Sequence, residues 1–143
     1  MEEKLIHAEL LRLVRSALWH NEELPASYDD ELLSPVFRAS RQQAVSALVA
    51  QALLSHNVRT NDEGAMEIMS ILMGHKRQAA TRDAHVAMIG QILAEAQIPY
   101  LVFKGQIAAR YYPQVSLRST GDIDFYVPLS YYESAKRLMA DKL

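Results

Sequence analysis

The sequence contains no cysteine, so it can form neither a disulfide framework nor a thiolate metal site. It has no apolar run near the ~18 residues that mark a membrane-spanning helix. The opening Met1-Glu2-Glu3 does not read as a secretory leader. A cytoplasmic setting without a membrane partner is therefore expected. Excess charge of one sign is also missing: the formal net charge is −2, which gives little basis for non-specific attraction to nucleic acid. The five histidines are scattered without ligand-like spacing, and none is assigned to a metal. Repeats and low-complexity tracts are absent as well.

What remains is an ordinary globular composition. The chain has 143 residues, half of them hydrophobic and about a fifth charged, enough for one domain with a real core. Residues 1–97 read as a helical region. Leu5, Leu10, Leu11, Val14 and Leu18 recur at helical spacing from Glu2 to His20, and Trp19 is expected to join the core. A second helical stretch runs from about Asp29 to Ser55, with a break expected near Ser34-Pro35 or Ser40. Residues Asn57 to Glu63 are polar and turn-like. Helical periodicity resumes from Gly64 to Ala96, where Met66, Met69 and Met73 are expected to fill core and Gly74 is expected to kink or divide the helix.

At Ile98 the pattern changes. Residues 98–103 form a short apolar run rich in β-formers, read as a strand. Lys104-Gly105 stops it, glycine permitting a tight turn and a close approach of backbone to ligand. A short helix is expected over 105–112 before Pro113, then a polar loop, a second strand over 122–127, and a final helix over 130–143. Ser130 and Glu133 have capping-box spacing at the start of that helix. Six of the seven tyrosines lie between residues 100 and 132. Tyr111, Tyr112 and Tyr126 offer stacking surfaces, although tyrosine is also a common strand residue that packs its ring.

The unusual feature is a pair of acids in the second strand. Residues i and i+2 of a strand share a face, so Asp122 and Asp124 stand together, their roots roughly 6.6 Å apart. At about 7 Å and an effective dielectric near 20, two carboxylates repel by roughly 2.4 kcal/mol. A cation relieves that repulsion, and oxygen donors of this kind suit Mg²⁺ or Mn²⁺. A lone Asp-x-Asp tripeptide is more often just a solvated pair; here the surrounding order of strand, Lys-Gly turn, helix, arginine loop and acidic strand gives it context.

Leu101-Val102-Phe103-Lys104-Gly105, Tyr112-Pro113, Arg118 and Gly121-Asp122-Ile123-Asp124 together resemble the signature of the uncharacterised nucleotidyltransferase family, within the polymerase-beta-type nucleotidyltransferase superfamily. The resemblance implies a metal-dependent transferase that moves a nucleoside monophosphate from a nucleoside triphosphate to an acceptor hydroxyl. It implies catalytic and metal-binding roles for Asp122 and Asp124. It also implies a phosphate-binding turn at Gly105, with Lys104 and Arg118 as its cations. The sequence departs from the superfamily in having Lys-Gly where Gly-Ser would stand, and it shows no third carboxylate on a readable strand.

The fold class expected is α+β: the helical region, then the start of a nucleotidyltransferase-like mixed or antiparallel sheet with flanking helices. For Lys104-Gly105 and the aspartates to serve one site, the two strands must be antiparallel, because a parallel pair would separate them by about 17 Å. Residues 98–143 hold six basic and four acidic side chains, a mild excess that suits a phosphate-bearing ligand. A non-catalytic nucleotide-binding or regulatory domain and a helical protein-interaction module are the alternative readings. The chain is expected to be an N-terminal portion, catalytically incomplete alone, that self-associates through unpaired strand edges.

Overall fold

The computed structural model describes residues 2–142; Met1, and the last residue of the expected 130–143 helix, Leu143, lie outside the described residues. Four helices come first: α1 (Glu2–Trp19), α2 (Asp30–Gln42), α3 (Ser46–Ser55) and α4 (Asp62–Glu95). Strand β1 (Leu101–Phe103), the short helix α5 (Gly105–Ala109), a 3-10 turn at Val115–Leu117, strand β2 (Asp124–Tyr126), a second 3-10 turn at Leu129–Tyr131 and helix α6 (Tyr132–Lys142) follow. The fold is α+β, with one small antiparallel sheet in a mostly helical chain. No helix is long and apolar enough to cross a membrane among the described residues.

Helix α4 is the spine. Its N-terminal half joins α1, α2 and α3 around a core that includes Leu13, Leu33, Val36, Phe37, Leu48 and Leu53. Its C-terminal half carries a second cluster of Leu93, Ile98 and Ala135, against which Tyr100, Phe125, Val127, Leu138 and Met139 pack. The sheet and α6 therefore sit on one end of α4, and Leu117 from the loop between the strands reaches back into the first core.

Several side chains take positions other than those expected. Trp19 is 63% exposed, because the buried apolar set on α1 is Leu10, Leu13 and Ala17, and Trp19 lies about 200° round the helix from Ala17. Met66, Met69 and Met73 are exposed, while Ile68 faces the core with Ile71 and Leu72 beside it. The expected division at Gly74 does not occur, since α4 runs unbroken through it.

Nor does α2 break at Pro35 or Ser40. Pro35 lies early in the helix, where its missing N–H releases only one first-turn carbonyl, and the buried Ser40 hydroxyl donates to the Phe37 carbonyl at 2.7 Å. The break falls instead at Ala44, which takes φ 56°. There the Val45 N–H donates to the Ser40 carbonyl and the Ala44 N–H to Arg41, closing a Schellman motif. The expected capping box at Ser130 does not form: the 3-10 turn at Leu129–Tyr131 precedes α6 and has no side-chain cap.

Candidate functional site

The two strands pair as Leu101 with Tyr126, Val102 with Phe125, and Phe103 with Asp124. Residues directly opposite in an antiparallel pair share a face. Val102 and Phe125 thus belong to one face, and the Phe125 ring lies 5.8 Å from that of Tyr100, centroid to centroid, in the α4–α6 cluster. The other face carries Leu101, Phe103, Tyr126 and Asp124, and its three apolar members are exposed. Both strands are shorter than the runs expected over 98–103 and 122–127. Asp122 consequently stands just ahead of the ladder, exposed, while Asp124 is the first residue of β2 and half-buried.

The antiparallel pairing brings the end of β1 to the beginning of β2. The Lys104 ammonium lies 3.5 Å from Asp124 Oδ1 and 5.3 Å from the centroid of the Phe103 ring. The cation that the acidic strand calls for is thus, in this state, the lysine of the turn. At this exposed position the pair itself contributes little to stability. Its interest is placement: one ammonium reaches the aspartate from the turn expected to hold phosphate.

The turn is made differently from the glycine turn read in the sequence. Lys104, not Gly105, holds the left-handed backbone, with φ 57° and ψ −107°, and a non-glycine residue there is strained. Gly105 is needed for a different reason: a β-carbon at that position would lie 2.3 Å from Thr120 Cγ2. The close approach is therefore between two segments of the chain. The N–H groups of Gly105, Gln106 and Ile107 have no backbone acceptor among the described residues, which leaves donors at the turn. The five-residue α5 adds little dipole of its own.

Arg118 is half-buried and works across this junction. Its Nη1 donates to the Gly105 carbonyl at 3.4 Å and to Thr120 Oγ1 at 3.0 Å. From the other side, Arg82 of α4 donates through Nη1 to the Thr120 carbonyl at 2.9 Å. The loop that leads to Asp122 is thereby strapped to α5 by one arginine and to α4 by another. Arg82 and Thr120 were not singled out in the sequence. An arginine on the polar side of a long helix and a threonine in a polar loop carry no local signal of such a contact.

The donor set suits a hard divalent cation: two carboxylates, one buried enough to be directed and one open to solvent. Among the described residues no cluster of three His, Cys, Asp or Glu side chains is placed to hold a metal. Phosphate oxygens and water would complete such a site, as is usual for Mg²⁺.

A family model described as an uncharacterised nucleotidyltransferase matches residues 30–142, a span that runs from the first residue of α2 to the last of α6. No curated protein and no solved structure matches the chain.

Proposed function

The chain belongs to the uncharacterised nucleotidyltransferase family, and on that premise we propose that it binds a nucleoside triphosphate with Mg²⁺ or Mn²⁺ at the Lys104 turn and transfers the nucleoside monophosphate to an acceptor hydroxyl. The observation that supports the reading is the junction itself: antiparallel pairing sets the Lys104 ammonium 3.5 Å from Asp124, so a cation suited to phosphate and a carboxylate suited to a divalent metal stand side by side. In the transfer, the acceptor oxygen bonds to the α-phosphorus and the bond from that phosphorus to the bridging oxygen breaks. Pyrophosphate leaves and the hydroxyl proton passes to solvent. Bound metal supplies neutralisation of the charge that builds on the phosphates.

The chain's own residues have separable tasks in this reading. Asp122 and Asp124 orient the metal–phosphate assembly. Lys104 exchanges its contact with Asp124 for one with phosphate, a point charge on a flexible stem suited to that move. The N–H groups of Gly105 and Gln106, which have no backbone acceptor among the described residues, donate to phosphate oxygens. Arg118 holds the turn and the loop together through Gly105 and Thr120.

Nucleotide binding without transfer is the second reading, favoured by the lack of a third clustered acid among the described residues. Titration with Mn²⁺ and a non-hydrolysable triphosphate tests binding: Asp122→Ala/Asp124→Ala should lose it, and equal binding by the double variant sinks the assignment. Pyrophosphate release, dependent on Asp122, separates transfer from binding alone.

A further inference from the structure

A concavity of about 380 Å³ lies between α4 and the loop that precedes β2. Its α4 wall is Arg77, Gln78, Thr81, Arg82 and His85, five residues confined to about 140° of one helix face. All five are polar. Thr120, Gly121 and Ile123 form the opposite side, and no carboxylate lines the pocket. Helix α4 does carry Asp62, Glu63, Glu67, Asp83 and Glu95, so the omission of acids from this face is a matter of placement, not of composition.

The cations here are not spent elsewhere. Neither Arg77 nor Arg82 has a salt-bridge partner among the described residues. Arg82 uses one N–H on the Thr120 carbonyl, and a guanidinium has five. Two guanidinium groups without a salt-bridge partner among the described residues, and no carboxylate in the lining, favour an anion in the pocket although the net charge of the chain is −2.

Gly121 adds an independent observation. A β-carbon built there meets nothing within 4 Å, and its backbone does not take a positive φ. Neither turn geometry nor packing therefore demands glycine at that position. What the missing side chain leaves is open space on the pocket wall.

We propose that this pocket is a binding site for a small oxyanion, phosphate or carboxylate, held by Arg77, Arg82 and His85 with Thr81 and Gln78 as neutral hydrogen-bonding groups. It is separate from the Lys104 turn. Ile123, which lines it, alternates in sequence with Asp122 and Asp124, so the pocket and the aspartates share one short segment. The volume and the small number of cations fit a compact group. A polynucleotide would call for a longer basic track with a steep salt dependence.

The test is titration of the full chain with inorganic phosphate, and separately with acetate, in the presence of EDTA. Without metal the readout does not require the aspartates, and the lining variants Arg77→Gln and Gly121→Val separate this pocket from the Lys104 turn, so failure of the transferase reading leaves it intact. Arg77→Gln and Gly121→Val should each weaken the tighter-binding anion tenfold or more; both sites are exposed, and thermal melts check the fold. His85→Gln should weaken it less, and Lys76→Gln, exposed on α4 but outside the pocket lining, by less than twofold. Tighter binding of phosphate or of acetate assigns the anion class, and either supports the site. The proposal is overturned by failure of the native chain to bind either anion, by unchanged binding in both Arg77→Gln and Gly121→Val, or by loss in Lys76→Gln instead. Displacement of phosphate by a short single-stranded oligonucleotide with steep salt dependence overturns the small-anion assignment as well.

Discussion

Between Gly105 and Thr120 there is no room for a methyl group, and this contact offers a direct probe of the site's construction. In Gly105→Ala the new β-carbon would meet Thr120 Cγ2 at 2.3 Å, so the Arg118–Thr120 loop must move or α5 must tilt. Overpacking of this kind costs typically ~1–3 kcal/mol. Thr120→Ser removes the offending methyl and keeps the hydroxyl that Arg118 contacts. The expected outcome is a destabilised Gly105→Ala and recovery of most of the loss in Gly105→Ala/Thr120→Ser, measured by denaturant unfolding. Strictly additive effects in the double variant would show that the contact is not what makes glycine necessary.

Lys104 gives a second test at the same scale. Its φ of 57° with ψ −107° costs roughly 1–3 kcal/mol for a residue with a β-carbon, against about 0.5–1 kcal/mol of added unfolded-state entropy for glycine. Lys104→Gly should therefore raise stability by about 1 kcal/mol while weakening triphosphate binding by about 1–3 kcal/mol, the range for a charged hydrogen bond. Lys104→Ala should weaken binding similarly without the gain in stability. A Lys104→Gly variant that is less stable with unchanged affinity would reverse the assignment. The Lys-Gly pair was legible as a turn because those residue types punctuate a strand. Which of the two carries the strained backbone was not legible, since it depends on how close Thr120 comes.

Helix ends show the same limit at the scale of elements. The apolar period of 3.6 marked α1, α3 and α4 in the sequence, and the apolar-to-polar change marked Asn57. Three helices end in Schellman motifs whose left-handed residues are Ala44, Asn57 and Gln97. None is glycine, so the break at Ala44 had no residue to announce it. The closing contacts are hydrophobic and follow one residue later: Val58 in the first core, and Ile98 beside Leu93 in the second. Ile98, read as the first residue of a strand, is the anchor of that helix end.

These ends predict a graded series. A left-handed conformation costs a residue with a β-carbon ~1–2 kcal/mol, less for asparagine, whose side chain tolerates it. Ala44 and Gln97 are exposed, so glycine there clashes with nothing. Ala44→Gly and Gln97→Gly should each stabilise by about 0.5–1 kcal/mol in equilibrium unfolding, and Asn57→Gly by distinctly less. Equal gains at all three positions, or losses at the first two, would contradict the assignment. The faces of helices were less legible than their spans. Trp19 and the α4 methionines are apolar in composition but lie off the buried stripe, and only packing against α2 and α3 decides which flank is covered.

At the scale of the molecule, α4 joins the two cores, and the loop bearing the candidate site is moored to it at two places. One is the Arg82 contact with Thr120. The other is His75, whose Nε2 lies 3.5 Å from Ser46 Oγ of α3 and whose charged form is favoured by the backbone of Ser116, in the 3-10 turn ahead of Arg118. Burial pushes the His75 pKa below its ordinary value of 6.5, the Arg82 charge acts in the same direction, and the Ser116 backbone opposes them in part. The unfolded chain therefore binds this proton more tightly than the folded one, and stability rises with pH wherever that is so. The contribution is fully present above pH ~6.5 and is lost as pH falls from there towards the folded value, beyond which both forms are protonated. Melting curves between pH 8 and pH 5 should show a decline that His75→Gln makes shallower, since glutamine keeps a hydrogen-bonding group but cannot take up the proton. Because the charge on His75 is felt at the backbone of the turn that leads to Arg118, triphosphate affinity should fall over the same pH interval in the native chain and change less in His75→Gln. Identical pH profiles for the two proteins, in both melting and binding, would remove His75 from the link between the helical core and the Asp122 loop.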